Sequence, residues 1–277
     1  MLPAWQEARQ TPHETAKYFM YRLNIWQKSS TTWLPAGLFS GHKSGRFDDS
    51  DLRERWCAVG LDLARKFDLA AAVFAFQNDL GGVDLRAMFW TNAERLKVLA
   101  RQVPEVLQWE RDGHIRVNTG NVIDLRIIKR DLREAIQRLK CLGIVYDPTY
   151  AETIIQDLIE GELDADGKLS IPPLPIGEQR MSQGVLTQTG PVADFENDLK
   201  RGVIRHEGHP VLEWQFSHAN VRENKAGHRV IEKEDRKSFR SVDGCQASVM
   251  ARWGALDYSE WQIEACDYYD SNEVEFL

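Results

Sequence analysis

The fold of this chain is decided by residues 56–62, which read Trp-Cys-Ala-Val-Gly-Leu-Asp. A second apolar run, residues 69–76, follows after a short polar gap. Continuous apolar runs of this length are typical of strands that are buried on both faces of a sheet. Gly81 and Gly82 then form a turn that leads into residues 83–91. We therefore predict an antiparallel meander of three strands.

Helical and extended patterns alternate after the meander. The predicted elements are a helix capped by Asn92, a helix over 124–140, a strand over 142–147, a helix over 151–160, a weak strand near 171–176, a polar helix around 194–201, a β-hairpin over 219–232 and a last helix over 242–256. The last helix is expected to bury one face, formed by Val242, Cys245, Val249, Trp253 and Leu256. This order predicts an α/β fold with a mixed sheet.

The first 50 residues have a different character from the rest. Their helical pattern is brief and several glycines follow it, so residues 1–50 are expected to be a lead-in or linker and residues 51–277 the single main domain. Trp26 and Trp33 could pack on a neighbouring molecule or dock on their own domain.

Composition sets further bounds. The chain has 277 residues, 43% of them apolar, and a formal net charge of −7. This acidity argues against a nucleic-acid partner, although a cluster of metal-binding carboxylates would itself contribute negative charge. No apolar run approaches the roughly 20 residues of a membrane span, and the N-terminus does not resemble a signal peptide, so an intracellular protein without a membrane partner is expected. Four scattered cysteines predict neither a zinc finger nor a disulfide framework.

Three carboxylates occupy positions from which a side chain can reach a cleft. Asp62 and Asp147 each end an apolar strand, and Asp243 lies in the first turn of the last helix. Carboxylates that meet at one sheet edge repel each other unless cations neutralise them. Mg²⁺ and Mn²⁺ prefer oxygen ligands, and two such ions about 4 Å apart can assist phosphodiester hydrolysis.

Each carboxylate also has an ordinary structural explanation. Asp62 can simply end a strand, and Asp147 before Pro148 is a common turn signal. Asp243 can stabilise its helix through the dipole. Their joint occurrence on one strand-strand-helix scaffold favours a functional site.

The segments around these carboxylates resemble the nuclease motifs of tailed-phage terminase large subunits. Residues 60–64 with 68–71 look like the first motif, residues 145–151 like the second acidic motif, and residues 241–247 like the third. Flanking stretches extend the resemblance from about residue 18 to about residue 258.

The resemblance implies a ribonuclease H-like fold with an additional β-hairpin, and an endonuclease that cuts concatemeric viral DNA during genome packaging in the host cytoplasm. Asp62, Asp147 and Asp243 would be the catalytic ligands of two Mg²⁺ or Mn²⁺ ions, with Asp68 as an extra candidate that could equally be a solvated strand start. The implied partners are double-stranded DNA, a terminase ATPase domain, the small terminase subunit and the portal.

One family feature is not matched. Terminase large subunits carry an ATPase domain with a P-loop, whereas in residues 37–44 His42 separates the glycine from the lysine. No nucleotide site is predicted, so the ATPase would belong to a longer protein or to a separate polypeptide.

Basic residues flank the predicted site. The candidates for contacts with DNA phosphates are Arg65, Lys66, Arg229, Lys233, Lys237 and Arg240. A solvated face of mixed charge is an even alternative for the last four. Two rival functions are another ribonuclease H-like nuclease, of resolvase or transposase type, and a non-catalytic module that binds DNA or portal.

Overall fold

The computed structural model describes residues 32–63, 69–224, 226–233 and 239–258, together with Trp5, Tyr18 and Trp261. Asp68, Arg65, Lys66, Lys237 and Trp26 lie outside these residues. No helix in the described part of the chain is long and apolar enough to cross a membrane.

Eleven strands and eight helices are described. The strands are β1 (Trp56–Asp62), β2 (Ala70–Gln77), β3 (Val83–Asn92), β4 (Arg116–Asn118), β5 (Lys140–Tyr146), β6 (Glu162–Leu163), β7 (Leu169–Ile171), β8 (Gly177–Arg180), β9 (Ile204–His206), β10 (Asn220–Glu223) and β11 (Arg229–Glu232). The helices are α1 (Asp49–Glu54), α2 (Ala93–Ala100), α3 (Val106–Arg111), α4 (Leu125–Ile136), α5 (Pro148–Glu160), α6 (Val185–Arg201), α7 (Pro210–His218) and α8 (Asp243–Leu256).

The central sheet is mixed, as predicted. Its strands lie in the order β4-β3-β2-β1-β5-β8, and β9 pairs with the free part of β3. β1, β2 and β3 form the antiparallel meander, while β5 and β8 run parallel to β1 on its other side. Two small hairpins, β6–β7 and β10–β11, lie outside the sheet, and the second is the hairpin that the sequence predicts.

Helices cover both faces of the sheet. Because side chains alternate along β1, Ala58 joins one core with α6, α7 and α8, whereas Cys57, Val59 and Leu61 join the other core with α4 and α5. The result is three layers, with the sheet between two layers of helices.

Helix α8 lies at the centre of its layer, and 12 of its 14 residues are buried. The expectation of a single buried face is therefore wrong. Trp253 and Leu256, which the sequence assigns to the buried face, are the two residues of α8 that are only partly buried. A helix that other elements surround needs no separate polar face, so its sequence carries no useful one-sided pattern.

Gly60 allows α8 to lie directly on β1. A Cβ atom at this position would lie 1.9 Å from the carbonyl oxygen of Ala247 and 2.6 Å from the backbone nitrogen of Ala251. Further along the helix, a Cβ atom added to Gly254 would contact the side chains of Val145 and Ala58. Since α8 moves from Gly60 towards Ala58 as its own numbering rises, it runs antiparallel to β1.

Several sequence predictions need correction. The helix predicted over 124–140 ends at Ile136, because residues from Lys140 pair with β1 as strand β5. Residues 172–176 form no strand, since three prolines interrupt them, and the strands β7 and β8 lie on either side. The helix predicted near 194 begins at Val185 and includes Pro191.

The segment before α1 packs on its own domain where it is described. Trp33 is buried against Phe195 and Phe216, and its backbone nitrogen donates to the carbonyl oxygen of Ala219 at 2.6 Å. The structure thus places Trp33 in its own core rather than on a neighbour. The division of the chain at residue 50 stays a prediction.

Replacing Gly60 by alanine tests the contact between α8 and β1. The free energy of unfolding of Gly60→Ala is expected to fall by about 3 kcal/mol, because the new methyl group meets backbone atoms that cannot move independently. Urea denaturation measures this difference. Gly41→Ala is the matched control, since no atom lies within 4 Å of its added Cβ, and it should change stability by less than about 0.5 kcal/mol. Equal stabilities for the two variants would contradict the close contact.

Candidate active site

Two of the predicted carboxylates lie at the same edge of the sheet. β1 and β5 are parallel neighbours, and their register places Leu61 opposite Tyr146. Asp62 is the last residue of β1 and Asp147 directly follows β5, so the two lie at the same ends of neighbouring strands, which are about 4.8 Å apart. The prediction that both strands deliver a carboxylate to one edge is therefore supported by the register.

Asp243 reaches that edge from α8. Ala247 lies on Gly60, and Asp243 precedes Ala247 by one helical turn, or about 6 Å along the helix axis. Asp62 follows Gly60 by two residues, or about 6.6 Å along the strand, and its side chain points to the same face. Because helix and strand are antiparallel, Asp62 and Asp243 come to the same level on the same side of the sheet.

Both of these carboxylates are shielded from water. Asp62 is 6% exposed and Asp243 is 8% exposed. Their closeness in this setting is the property that a cation site of hard oxygen ligands requires.

Asp147 has a structural task as well. Its Oδ1 accepts hydrogen bonds from the backbone nitrogen of Thr149 at 2.9 Å and from the hydroxyl of Thr149 at 2.6 Å. This is the N-cap of α5, with Pro148 in the first turn. Asp147 therefore ends β5 and begins α5, and its half-buried carboxylate lies at the candidate site while one oxygen caps the helix.

Within the described residues, no three His, Cys, Asp or Glu side chains are close enough together to hold one metal ion. The packing thus places Asp62 and Asp243 at the same level on one face of the sheet, and the register places Asp147 at the same edge with its carboxylate turned to the cap. The assignment of all three as metal ligands stays a prediction.

Gln183 is a site residue that sequence reasoning missed. This exposed side chain precedes α6, and its Nε2 donates to Oδ1 of Asp62 at 3.0 Å. The bond restrains one oxygen of a carboxylate that is itself almost fully buried. No local pattern marks such a residue, because its role depends on a contact between positions 121 residues apart.

The described basic residues lie in different environments. Arg229 is half-buried and pairs with Glu196 of α6 at 2.7 Å, so much of its charge is already balanced. Lys233 is half-buried, and Arg240 is exposed beside Phe239. The backbone of Phe239 is held by Arg95, whose Nη2 donates to the Phe239 carbonyl at 2.8 Å. Arg240 consequently stands three residues before Asp243 on an anchored segment.

His209 precedes α7 and packs in an aromatic environment. Its ring lies 5.1 Å from the ring of Phe89 and 4.9 Å from that of His114. Burial lowers the pKa of His209 to about 3, and the neighbouring His114 also lowers it. A neutral, packed imidazole agrees with the structural role that the sequence favours for His209 over that of a zinc ligand.

Comparisons with a family model and with known proteins agree on one protein family. Residues 1–259 match the family model described as terminase large subunit, endonuclease domain. The chain is similar to the terminase large subunit of Enterobacteria phage HK97, with 29% identity over 199 residues that cover 71% of this chain and 36% of the relative. It is also similar to protein YmfN of Escherichia coli (strain K12), with 20% identity over 286 residues, 100% of this chain and 60% of the relative.

A solved structure shows the same fold. The crystal structure of the HK97 bacteriophage large terminase aligns with a TM-score of 0.68 and 24% identity, covering 91% of this chain and 49% of that one. This likeness confirms the predicted ribonuclease H-like α/β fold. The chain spans 36% and 60% of the lengths of its two sequence relatives.

The buried neutral state of His209 predicts a pH-dependent stability. Its folded pKa lies below the unfolded value of about 6.5, so the unfolded chain binds the proton more readily and stability is lost as pH falls below that value. Between pH 7 and pH 5 the wild-type protein should lose about 2 kcal/mol more unfolding free energy than His209→Gln. Urea denaturation at both pH values measures this. A parallel loss in the two proteins would show that His209 titrates normally in the folded state.

Proposed function

The chain belongs to the family of terminase large subunit endonuclease domains, and we propose that it hydrolyses the phosphodiester bonds of concatemeric double-stranded viral DNA during genome packaging. The proposed reaction uses two divalent cations, Mg²⁺ or Mn²⁺. It would take place in the cytoplasm of the infected host. The partners proposed for it are the terminase ATPase domain, the small terminase subunit and the portal.

The observation that carries this proposal is the meeting of Asp62 and Asp243 on one side of the sheet. Two buried carboxylates on the same side of the sheet repel each other in a medium that screens charge poorly. A divalent cation removes that repulsion, and the oxygen-only donor set suits Mg²⁺ and Mn²⁺ rather than zinc. Asp62 and Asp243 therefore have the type of donor atom that the proposed ions prefer.

The ions would be held by Asp62, Asp147 and Asp243, with Asp68 as a further candidate. Asp62 has the central position among them, because β1 contacts both β5 and α8. When bound, the cations would activate a water molecule and stabilise the leaving oxygen of the cleaved phosphodiester.

The chain itself supplies rigidity at this edge. Asp62 extends from a strand that is paired on both sides, and Gln183 restrains one of its oxygens. Asp243 extends from a helix that lies against the backbone of that strand. Since neither residue lies on a free loop, the carboxylates are held in place before any ligand arrives.

Contacts with DNA are proposed for the segment between the β10–β11 hairpin and α8. Arg240 is exposed and anchored close to Asp243, and Lys233 follows β11. Arg229 is a further candidate, and its guanidinium group pairs with Glu196 at 2.7 Å. Arg65, Lys66 and Lys237 stay candidates by their sequence positions alone.

Substitution of the carboxylates tests the proposed reaction. The rate of cleavage of supercoiled plasmid in Mn²⁺ should fall by about 100-fold or more in Asp62→Asn, Asp147→Asn and Asp243→Asn. Mutation of residues that only hydrogen-bond to metal ligands already lowers metal affinity or activity by about 10- to 100-fold, so loss of a ligand should cost at least as much. Agarose gels, with a chelator control, measure the rates.

Asp48→Asn is the matched control for Asp147. Asp48 caps α1 through Ser50 with the same two hydrogen bonds, but it lies before β1 and so at the opposite edge of the sheet. Asparagine is also a good cap, so both variants should stay folded. Equal cleavage by these two variants would show that Asp147 only caps its helix. Faster cleavage of branched than of linear DNA would favour a resolvase, and DNA binding without cleavage would favour a binding module.

Arg240→Ala tests the DNA surface. Removal of one phosphate contact should weaken duplex binding and reduce the slope of log K against log salt concentration by about 1. Fluorescence anisotropy at several salt concentrations measures both values. Arg53→Ala on α1 is the control, because this exposed arginine lies before the amino end of β1, away from Asp62. An unchanged slope in Arg240→Ala would exclude a phosphate contact at this residue.

A further inference from the structure

We propose that Gln215 of α7 is a positioning residue, which fixes the segment that carries Asp243 and thereby prepares this carboxylate for cation binding. The proposal rests on the function proposed above. It assigns a role to a residue that is neither one of the proposed ligands nor part of a nuclease motif.

Gln215 holds the chain on both sides of Asp243. Its side chain is fully buried, Oε1 accepts from the backbone nitrogen of Gly244 at 2.6 Å, and Nε2 donates to the hydroxyl of Ser241 at 2.9 Å. Both ends of the amide are therefore engaged, one before and one after Asp243. The side chain thus holds the Ser241 hydroxyl and the Gly244 backbone, one on each side of Asp243.

These bonds replace a cap that the helix lacks. The first amides of a helix have no partner within it, and a side chain of the N-cap residue usually accepts one of their hydrogen bonds. The N-cap residue of α8 is Val242, whose side chain makes no such bond. Gln215 supplies the acceptor from a different helix, so the start of α8 depends on tertiary structure.

His218, almost one turn further along α7, adds a third bond. Its Nε2 donates to the carbonyl oxygen of Ser241 at 2.9 Å. α7 is itself anchored in the core through Val211, Leu212 and Phe216. Helix α7 therefore holds Ser241 and Gly244, on either side of Asp243, by hydrogen bonds.

Gly244 allows this close approach. A Cβ atom at position 244 would lie 2.7 Å from Oε1 of Gln215 and 2.7 Å from Cζ of Phe89. The short hydrogen bond between Gly244 and Gln215 thus needs a residue without a side chain. Gly244 directly follows Asp243, so its hydrogen bond to Gln215 fixes the backbone next to the Asp243 side chain.

The test compares Gln215→Met with Gln188→Met. Gln188 of α6 is also a buried glutamine, and its Nε2 donates to Oε1 of Gln246 at 2.7 Å, so it contacts α8 just after residues 241–244 without binding them. The two substitutions keep the side-chain volume and remove buried amides, so a general loss of stability should affect both variants. Calorimetric titration with Mn²⁺ gives the binding constant, and metal-free hydrogen exchange gives the protection of the Gly244 amide.

We expect Mn²⁺ to bind about 10- to 100-fold more weakly to Gln215→Met, and less than about 2-fold more weakly to Gln188→Met. The Gly244 amide should exchange faster only in Gln215→Met, since its acceptor is removed. Ser241→Ala removes one of the two hydrogen-bond partners of Gln215 and should weaken Mn²⁺ binding less than Gln215→Met does. This variant serves as the test if Gln215→Met does not fold.

Two outcomes separate the hypotheses. A wild-type protein that binds no Mn²⁺ would overturn the proposed function, whatever the variants do. A wild-type protein that binds Mn²⁺, with equal weakening in Gln215→Met and Gln188→Met or with unchanged Gly244 exchange, would overturn the role of Gln215 alone. In the second case the metal site would stand and its positioning would come from elsewhere.

Discussion

Direct contact between the backbones of α8 and β1 is the constraint on which the rest of the structure depends. At Gly60 no side chain separates the two elements, and Ala247 and Ala251 continue the small surface on the helix side. Because the helix lies so close, it fills the middle of its layer and is buried on nearly all sides. The same closeness brings Asp243 to the level of Asp62, so the packing of the core and the geometry of the candidate site have one cause.

Local patterns predict the parts of this arrangement that depend on local forces. The three strands of the meander follow from continuous apolar runs, and Asn92 caps α2 as expected, with its side chain accepting from the nitrogen of Arg95. The edge position of Asp62 and Asp147 follows from where their strands end. Strands of three residues such as β4 and β9 carry too little pattern to be recognised. Gln183 and Gln215 escape prediction because their bonds join distant segments.

The acidity of the chain has a different meaning in the structure than in the composition. Asp84 is buried and contacts Arg205 and Arg55 at 2.7 and 2.8 Å. Burial by itself would raise the pKa of Asp84, but hydrogen bonds from Arg205, Asn78 and Arg55 keep the pKa below its ordinary value. Asp198 pairs with Arg252 in the core in the same way. Many charges of both signs therefore hold the fold together, so the net charge of −7 says little about which molecules the surface attracts.

The antiparallel docking of α8 on β1 also has a kinetic meaning. Residues 62 and 243 meet only after a loop of almost the whole domain has closed, and contacts of such long sequence separation form late and slowly in folding. During synthesis, β1 and β5 leave the ribosome well before α8 does, since domains are made from the N-terminus. A nascent chain therefore presents two of the three acidic residues without the third. If these residues bind the ions as proposed, the site is complete only after α8 has docked on β1.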